Sequence, residues 1–391
     1  MELYILNRDL NVEGVIDQAE SVLWQKKYND VGECEIYAPF SDALYSLLRR
    51  GYFVFRFDDD MACLIQSVQI TTDAEAGNYI IATGKDICSI LAGRIVRWQT
   101  NFSGTVPEFV RKILLENVIS PAQGQRGISR LEISTLNFAE LNAGVDATVN
   151  TEEVLALIVA TCKSSNYGFR MSIDAEKKKF VFRLYAGKNK ATVQSETYVE
   201  FSPEFANILA TDYKEDESNF KNVVYVGYKD EKEELKLLSC FVGDAEPTGE
   251  DRKEIYVDGT GTSRDITLAE LEQMFPGVEK SGNAYTADGE TVATSEGSGE
   301  EEKITVTDYT YLLLIRRLGL DALASAAQTV TFSGTVDTVN TYEYRVDFDL
   351  GDVVLVKNEY GVSSPTRIVE VMESEDAENG YQCELKFEFM N

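Results

Sequence analysis

Alternation of apolar and polar residues dominates the first hundred residues of the chain. Short segments with a period of two recur at residues 2–7, 32–39, 52–57, 62–70 and 78–84. Because successive side chains of a β-strand point to opposite faces, this pattern predicts strands with one buried face. Short strands at regular spacing are typical of a small barrel or sandwich, and we predict a first β-barrel domain over residues 1–97.

Three segments depart from this alternation and have the spacing of amphipathic helices. Their predicted spans and N-caps are 41–51 with Ser41, 105–119 with Thr105, and 151–168 with Thr151. Gly51 is expected to end the first of them. A polar turn between two alternating stretches predicts a hairpin at residues 169–185. The last two helices and this hairpin predict an α+β middle module over residues 98–200.

The second half of the chain combines strands, an acidic region and one long helix. Residues 243–305 are rich in Gly, Asp, Glu, Ser and Thr, and we expect an exposed acidic loop at residues 294–303. The longest helical pattern lies at residues 308–327, where Gly319 is expected to break or kink the helix. Four strands finish the chain. We therefore predict a second β-barrel domain over residues 201–391, with an insertion at about 243–305.

Two distant segments share an internal repeat. Each contains a glycine, a β run, a turn, an alternating strand, the tripeptide Asp-Ala-Glu and a further strand led by an aromatic residue. The matched positions are Gly51 with Gly351, Asp73 with Asp376, and Glu75 with Glu378. Two such segments in one chain suggest two similar barrels and a ring with pseudo-symmetry.

The glycine of the second repeat lies in an acidic corner that could belong to an active site or a metal site. The acids around Gly351 are Asp347, Asp349 and Asp352. Because the same pattern recurs at Gly51, we interpret the corner as a turn that starts a barrel strand. Gly351 would supply the backbone conformation, and the acids would solvate the corner.

Composition removes several classes of enzyme. The chain has no histidine, which excludes Ser-His-Asp catalysis, Cys-His catalysis and HExxH zinc sites. The aspartate run at 58–60 lacks the spacing of a calcium loop, and the stretch 258–263 lacks the glycines of a dinucleotide site. We identify no catalytic, cofactor or metal residue, although an enzyme with paired carboxylates stays possible. The six cysteines are expected to be buried free thiols.

Charge and hydropathy bear on whether the chain binds DNA, crosses a membrane or is secreted. A net charge of −29 works against binding DNA through its phosphates. It is typical of a solvated acidic surface, and it would also suit a surface that DNA passes without adhering. No apolar stretch is long enough for a transmembrane helix, and residues 1–10 lack the features of a signal peptide. We expect synthesis in the cytoplasm.

Several stretches together resemble a known family of viral proteins. They include "ELYILNRDLNVEGVID", "YNDVGECEIYAP", "VEFSPEFANILATDYKEDESNFKNVVYVGY" and "FDLGDVVLVKNEYGV". With them, the chain resembles the tail-tip (baseplate) hub proteins, or tail-associated proteins, of long-tailed bacteriophages. The resemblance covers nearly the whole chain and weakens across residues 260–305. It concerns a fold and carries no catalytic signature.

The resemblance implies a non-enzymatic homotrimer located in the virion, at the tail tip. Two barrel domains per chain would form a pseudo-hexameric ring that joins the sixfold distal tail protein or tail tube to a threefold tip. The ring would close the DNA channel until ejection, and DNA would pass through its lumen without specific binding. Other expected partners are the tape measure protein and a central fibre, spike or receptor-binding protein. Since the chain ends at Asn391 after its last strand, we expect no C-terminal hydrolase domain.

Two alternatives from other functional classes stay open. The first is a cell-wall hydrolase that uses paired carboxylates, and the second is a carbohydrate-binding adhesin at the tail tip. For the trimer, the helix at 308–327 provides the candidate subunit contacts. They are Leu312, Leu313, Ile315 and Leu318.

Overall fold

Strands dominate the computed structural model of the chain. It describes residues 1–17, 19–73, 77–98, 100–136, 138–149, 151–192, 197–297, 303–326, 329–336, 341–361, 363–377 and 379–389. The chain divides into two compact units, unit 1 (Met1–Tyr213 with Thr331–Asn391) and unit 2 (Lys214–Val330). The predicted β-rich α+β class is confirmed. The acidic insertion expected at about 243–305 lies inside unit 2.

The first ninety residues fold into short antiparallel strands, as their alternation predicts. The elements are β1 (Leu3–Leu6), β2 (Val12–Ile16), β3 (Ser21–Lys27), β4 (Glu33–Pro39), α1 (Asp42–Leu47), β5 (Phe53–Phe55), β6 (Ala62–Asp73), β7 (Gly77–Asp86) and a 3₁₀ helix at Ile87–Gly93. The Ser41 hydroxyl accepts a hydrogen bond from the Leu44 backbone N–H at 3.1 Å and caps α1. This cap satisfies one of the N–H groups that have no partner inside a helix.

The middle segment adds two helices and two small sheets. Its elements are β8 (Thr100–Thr105), α2 (Val106–Leu114), a π-helical turn at Leu115–Ile119, a 3₁₀ helix at Gly124–Arg126, β9 (Leu131–Ile133), β10 (Gly144–Val149), α3 (Val154–Ser165), β11 (Gly168–Asp174) and β12 (Lys179–Tyr185). Thr105 and Glu108 form a capping box at the start of α2. The expected cap of α3 was wrong. Glu153 occupies the N-cap, and Thr151 lies two residues earlier with a positive φ of 58°.

Unit 2 contains one mixed sheet, one antiparallel sheet and the longest of the described helices. Three elements come before it in the chain: β13 (Glu200–Phe201), a 3₁₀ helix at Pro203–Phe205 and β14 (Ile208–Asp216), whose end reaches into unit 2. The elements of unit 2 are β15 (Val223–Lys229), β16 (Leu235–Phe241), a 3₁₀ helix at Gly249–Asp251, β17 (Glu254–Asp258), β18 (Asp265–Ile266), α4 (Leu268–Met274), β19 (Glu279–Ser281), β20 (Ala284–Ala287), β21 (Glu290–Glu296), β22 (Lys303–Val306) and α5 (Asp308–Ser325). The sheets have the strand orders β16-β15-β17 and β18-β22-β21-β20-β19.

Two expectations for this region differ from the structure. The two ends of the acidic loop expected at 294–303 belong to strands, because β21 pairs with β22 and Ser295 is buried. Residues 298–302 of this loop lie outside the described residues. The helix α5 runs without interruption through Gly319. A Cβ at Gly319 would lie 2.8 Å from a methyl carbon of Val226. The glycine therefore lets the helix approach β15 closely rather than ending it.

The last strands complete the main sheet of unit 1. They are β23 (Thr329–Val336), β24 (Val353–Lys357), β25 (Ser363–Asp376) and β26 (Gly380–Phe389). Among the described residues, thirteen strands form one sheet with the path β14-β23-β26-β25-β3-β4-β7-β6-β5-β1-β2, while β24 pairs with β25 and β13. The pairing of β3 with β25 joins the two ends of the chain. Within the described residues the path is open at β14 and β2, and the pairings seen there do not close either half into a barrel.

The two halves of this sheet have the same order of strands. One half reads β3-β4-β7-β6-β5-β1, and the other reads β14-β23-β26-β25-β24-β13. In each half the repeat glycine donates its N–H to an isoleucine carbonyl at 2.8 Å, Gly51 to Ile65 and Gly351 to Ile368. A shift in register follows each isoleucine directly. The halves therefore share their order, their glycine turn and their β-bulge.

Candidate functional site

The junction between the two halves is the candidate site. Strand β3 pairs antiparallel with the second part of β25, from Lys27 opposite Glu370 to Ser21 opposite Asp376. The Gln25 side chain donates to the Glu370 carboxylate at 2.6 Å, across 345 residues of sequence. This pairing holds the two halves in one continuous sheet.

A largely buried group of charged side chains, with Asp58 exposed at its rim, lies against this junction. We call it the junction network, and its members are Lys26, Arg56, Asp58, Asp59, Arg345 and Glu373. Alternation in β3 and β25 directs Lys26 and Glu373 to the same faces as the core residues Val22, Trp24 and Val371. Two charged residues thus occupy inward positions of otherwise apolar faces.

Asp59 is the most enclosed acid of the junction network, and its carboxylate is not exposed. Its Oδ2 accepts hydrogen bonds from Trp24 Nε1 at 3.0 Å and from Lys26 Nζ at 3.0 Å. Arg345 Nη2 lies 2.7 Å from the same oxygen. Burial alone would raise the pKa of Asp59, but the two cations lower it below its ordinary value.

Glu373 takes the second acidic position. It accepts hydrogen bonds from Arg345 Nη2 at 2.6 Å and from the Tyr381 hydroxyl at 3.0 Å. Arg56 Nη1 lies 3.3 Å from Glu373 Oε1. The other terminal nitrogen of the same guanidinium, Nη2, lies 2.5 Å from Asp58 Oδ2. Three cations therefore face three acids, and the local charges cancel. Such a cluster is stable when complete, but removal of one member leaves a buried charge without compensation.

A cleft of about 720 Å³ opens beside the network. Its lining includes Arg56, Asp58, Arg345 and Glu373, which already pair with one another. The amino group of Met1 pairs with Glu375 on another part of the lining. These pairs engage most of the charged groups that line the cleft.

The aspartates of the run at 58–60 pair with cations of the protein itself. In the run at 58–60, Asp58 pairs with Arg56, Asp59 with Lys26 and Asp60 with Arg170. Within the described residues, no group of three or more Asp, Glu or Cys side chains could hold a metal ion. In the same part of the chain, no helix is long and apolar enough to cross a membrane.

The acidic corner at Gly351 differs from the solvated turn that we expected. Asp352 is buried, and its carboxylate accepts hydrogen bonds from the backbone N–H groups of Lys188 at 2.7 Å and Asp349 at 3.0 Å. Lys190 Nζ lies 3.1 Å away. The carboxylate therefore fastens the segment after β12 to the start of β24.

The repeat residues lie at turns and strand ends. Gly51 and Gly351 have positive φ values of 85° and 96°. Asp73 ends β6 opposite Gly77, and Asp376 ends β25 opposite Gly380. The Asp376 carboxylate accepts a hydrogen bond from the Asn379 N–H at 2.7 Å. Glu75 and Glu378 lie outside the described residues.

The proposed subunit contacts on α5 differ in exposure. Ile315 is fully buried in the core of unit 2, while Leu312 and Leu313 are half-buried. Leu318 is 36% exposed and is the accessible member of the set.

Sequence reasoning missed the junction network. Its detectable signal was a charged residue at an inward position of an alternating strand, as at Lys26 after Val22 and Trp24. The partners of Lys26, which are Asp59 and Glu373, come from distant segments, so the sequence around Lys26 does not predict them. The six cysteines are free and buried, as expected.

Comparison with known proteins gives the family. A strand-rich tail protein of bacteriophages is the class that the fold and the resemblance indicate. The chain belongs to the family described as Siphovirus ReqiPepy6 Gp37-like protein, whose sequence model matches residues 2–387. The expected relationship to phage tail proteins is thus confirmed. A comparison with curated protein sequences finds no significant match.

Two solved structures share the fold over nearly the whole chain. The tail protein from Neisseria meningitidis MC58 is 14% identical with a TM-score of 0.53, and the alignment covers 99% of this chain and 95% of that one. The 43 kDa tail protein of prophage MuSo2 from Shewanella oneidensis is 11% identical with a TM-score of 0.53, covering 99% and 98%. At such identities the likeness concerns the fold.

Proposed function

We propose that the protein is the structural hub of a phage tail tip. Three copies form a pseudo-hexameric ring of six tube-like, barrel-type modules, two from each chain. The ring joins the sixfold distal tail protein or tail tube to a threefold tip, and it closes the DNA channel until ejection. The observation that carries this proposal is the pair of sheet halves with the same strand order, joined through β3 and β25.

The junction network supports a mechanical role for the site. A connector between modules must keep its geometry under load, and a buried cluster with balanced charges fixes the register of the two strands. Each carboxylate of the aspartate run pairs with a cation of the same chain. We therefore propose that the protein acts without catalysis.

The charge of the chain supports the proposed channel. A net charge of −29 disfavours tight contact with DNA phosphates, so DNA would slide past rather than bind. The proposed partners are the distal tail protein or tail tube, the tape measure protein, and a central fibre, spike or receptor-binding protein.

Imaging of tail particles tests the location. An epitope-tagged protein should label one end of the tail, and particles without the protein should fail to complete their tips. A protein that never joins a tail particle would contradict the proposal. Zymography on bacterial cell walls tests catalysis, and clearing that vanishes after one carboxylate substitution would overturn the non-enzymatic assignment.

A further inference from the structure

One edge of the main sheet is left without a neighbour where its repeat counterpart has one. The second part of β25, Glu370–Asp376, pairs with β26 on one side and with β3 on the other. The corresponding part of β6, Ser67–Asp73, pairs with β7 only, within the part of the chain that the structure describes. The bulges after Ile65 and Ile368 place these two parts in register.

The exposure of the side chains reflects this difference. Val371 and Glu373 in β25 are 0% and 2% exposed, because β3 and the junction network cover them. The matching positions in β6 are Val68, which is half-buried, and Ile70, which is 44% exposed. An apolar side chain thus lies at the position where the other half buries a charged one.

The strand that would cover β6 also exists in the repeat. In the order of the two halves, β14 corresponds to β3, and it is the end strand of the sheet, next to β23. Leu209 in β14 is 66% exposed. In the described part of the chain, β3 therefore pairs with β25, while the equivalent strands β14 and β6 do not pair with each other.

The unused edge of β6 lacks the charges and prolines that protect free strands in soluble proteins. Charged residues, prolines and bulges normally prevent edge-to-edge pairing. The sequence Ser-Val-Gln-Ile-Thr-Thr at 67–72 contains no charge and no proline, and neither does Ile-Leu-Ala-Thr at 208–211, the start of β14. The rest of β14 is charged at Asp212, Lys214, Glu215 and Asp216, so only its first four residues form an uncharged edge. In a chain in which 26% of the residues are charged, these two uncharged segments indicate surfaces that are covered in the assembly.

We propose that β14 of one copy adds to the second part of β6 of a second copy as an antiparallel strand. This contact repeats between chains what β3 and β25 do within one chain. The inference rests on the proposed ring and deepens it, because it names the interface and the partner. The contact is head-to-tail, so three copies that close a ring have three internal and three intermolecular junctions.

The intermolecular junction differs from the internal one in chemistry. The internal junction is fixed by Lys26 and Glu373, whereas the outer one brings together apolar side chains such as Ile70 and Leu209. An apolar contact needs no ion pair to be completed across the interface, so no buried charge depends on a partner from the second copy.

Lysine substitutions at the two edges test the interface. Ile70→Lys and Leu209→Lys should each raise the apparent dissociation constant at least about tenfold, since a lysine blocks strand addition. Val15→Lys is the matched control, because Val15 is 42% exposed on β2. Sedimentation velocity measures the association, and circular dichroism verifies that the variants are folded.

A mixture of the two lysine variants tests the head-to-tail arrangement. Each variant alone should stay monomeric, because every contact contains one blocked edge. The mixture should form dimers, since the intact β14 of the Ile70→Lys chain meets the intact β6 of the Leu209→Lys chain. A mixture that remains monomeric while the wild type associates would overturn the proposal.

Cross-linking tests the contact between β14 and β6 separately from the number of copies in the ring. In the double variant Ile70→Cys/Leu209→Cys, a flexible bis-maleimide should join copies into a ladder that ends at three. The six natural cysteines are buried and should not react. A ladder that continues past three would support the junction and contradict the trimer. A trimer without cross-links would overturn the junction and leave the proposed hub intact, and a monomeric wild type would overturn both.

Discussion

Gly351 combines a backbone requirement with a packing requirement. Its φ of 96° favours glycine, and a Cβ at this position would lie 2.2 Å from a ring carbon of Tyr28. Tyr28 is fully buried, and its hydroxyl donates to the Asn166 carbonyl at 2.9 Å, so the ring has little freedom to move. The turn and the core thus select the same residue.

Gly351→Ala should therefore destabilise the protein beyond the effect of its backbone angle. The matched control is Gly361→Ala. Gly361 has a φ of 92°, and a Cβ added there would have no heavy atom within 4 Å. We expect Gly351→Ala to lower the free energy of unfolding by about 1–3 kcal/mol more than the control, because it overpacks the core. Urea denaturation measures both values. Equal losses would mean that the Tyr28 contact contributes nothing.

Asp59 is the residue on which the balance of the junction network depends. Asp59→Asn leaves Lys26 and Arg345 near each other with less negative charge, and we expect a loss of about 3–5 kcal/mol. Glu33→Gln removes one member of an exposed pair with Lys85 and should cost at most about 1 kcal/mol. Urea denaturation at neutral pH compares the two variants.

The pH dependence of the same variant checks the cause. Because the pKa of Asp59 is lower in the folded protein than its ordinary value of 3.8, its stabilising effect is present above that value and is lost as the pH falls through the folded pKa. The difference between wild type and Asp59→Asn should therefore shrink below about pH 4. A difference that does not change with pH would indicate a loss of packing instead.

At the scale of elements, the 3₁₀ helix at Ile87–Gly93 carries a buried acid at its start. The Asp86 carboxylate accepts a hydrogen bond from the Cys88 N–H at 2.7 Å. Burial nevertheless raises the pKa of Asp86 from 3.8 to about 7. The folded protein therefore binds more protons than the unfolded chain between these values, and this group lowers stability as the pH rises through them.

Asp86→Asn should remove this penalty. We expect the variant to be more stable than the wild type by about 2–4 kcal/mol above pH 7, with the gain vanishing below about pH 4. Thermal or urea unfolding at several pH values measures the difference. A constant difference across this range would contradict the raised pKa.

Elements were predictable where a local pattern determines them. The caps at Ser41 and Thr105 and the hairpin of β11 and β12 follow from residues within a few positions. The cap of α3 and the continuity of α5 were not predictable in this way. Glycine is typical of a helix end, but Gly319 lies inside α5, where it packs against Val224 and Val226 of unit 2.

At the scale of the whole molecule, each unit has its own hydrophobic cluster. The cluster around Val226, Leu271 and Ile315 belongs to unit 2. The cluster around Phe332, Val371 and Phe387 belongs to unit 1, as does the one around Trp24 and Ile36. A unit with its own core can fold without the rest of the chain.

We therefore expect unit 1 to survive the removal of unit 2. A variant in which a short Gly-Ser linker replaces residues 214–330 should unfold in one cooperative transition and should still associate. Calorimetry and sedimentation velocity measure these properties. A variant that folds but stays monomeric would place the subunit contact in unit 2, where Leu318 is exposed, and would contradict the edge contact between β14 and β6.

The sequence by itself determined the strands, most helix starts, the two repeat glycines and the absence of histidine chemistry. These properties depend on residue type and near neighbours, so they are present in the unfolded chain as local preferences. Only the tertiary structure decided that β3 pairs with β25 and that Lys26, Asp59, Arg345 and Glu373 meet in one buried network. A charge at an inward strand position is tolerated only when its partners arrive from distant segments, and the fold alone supplies them.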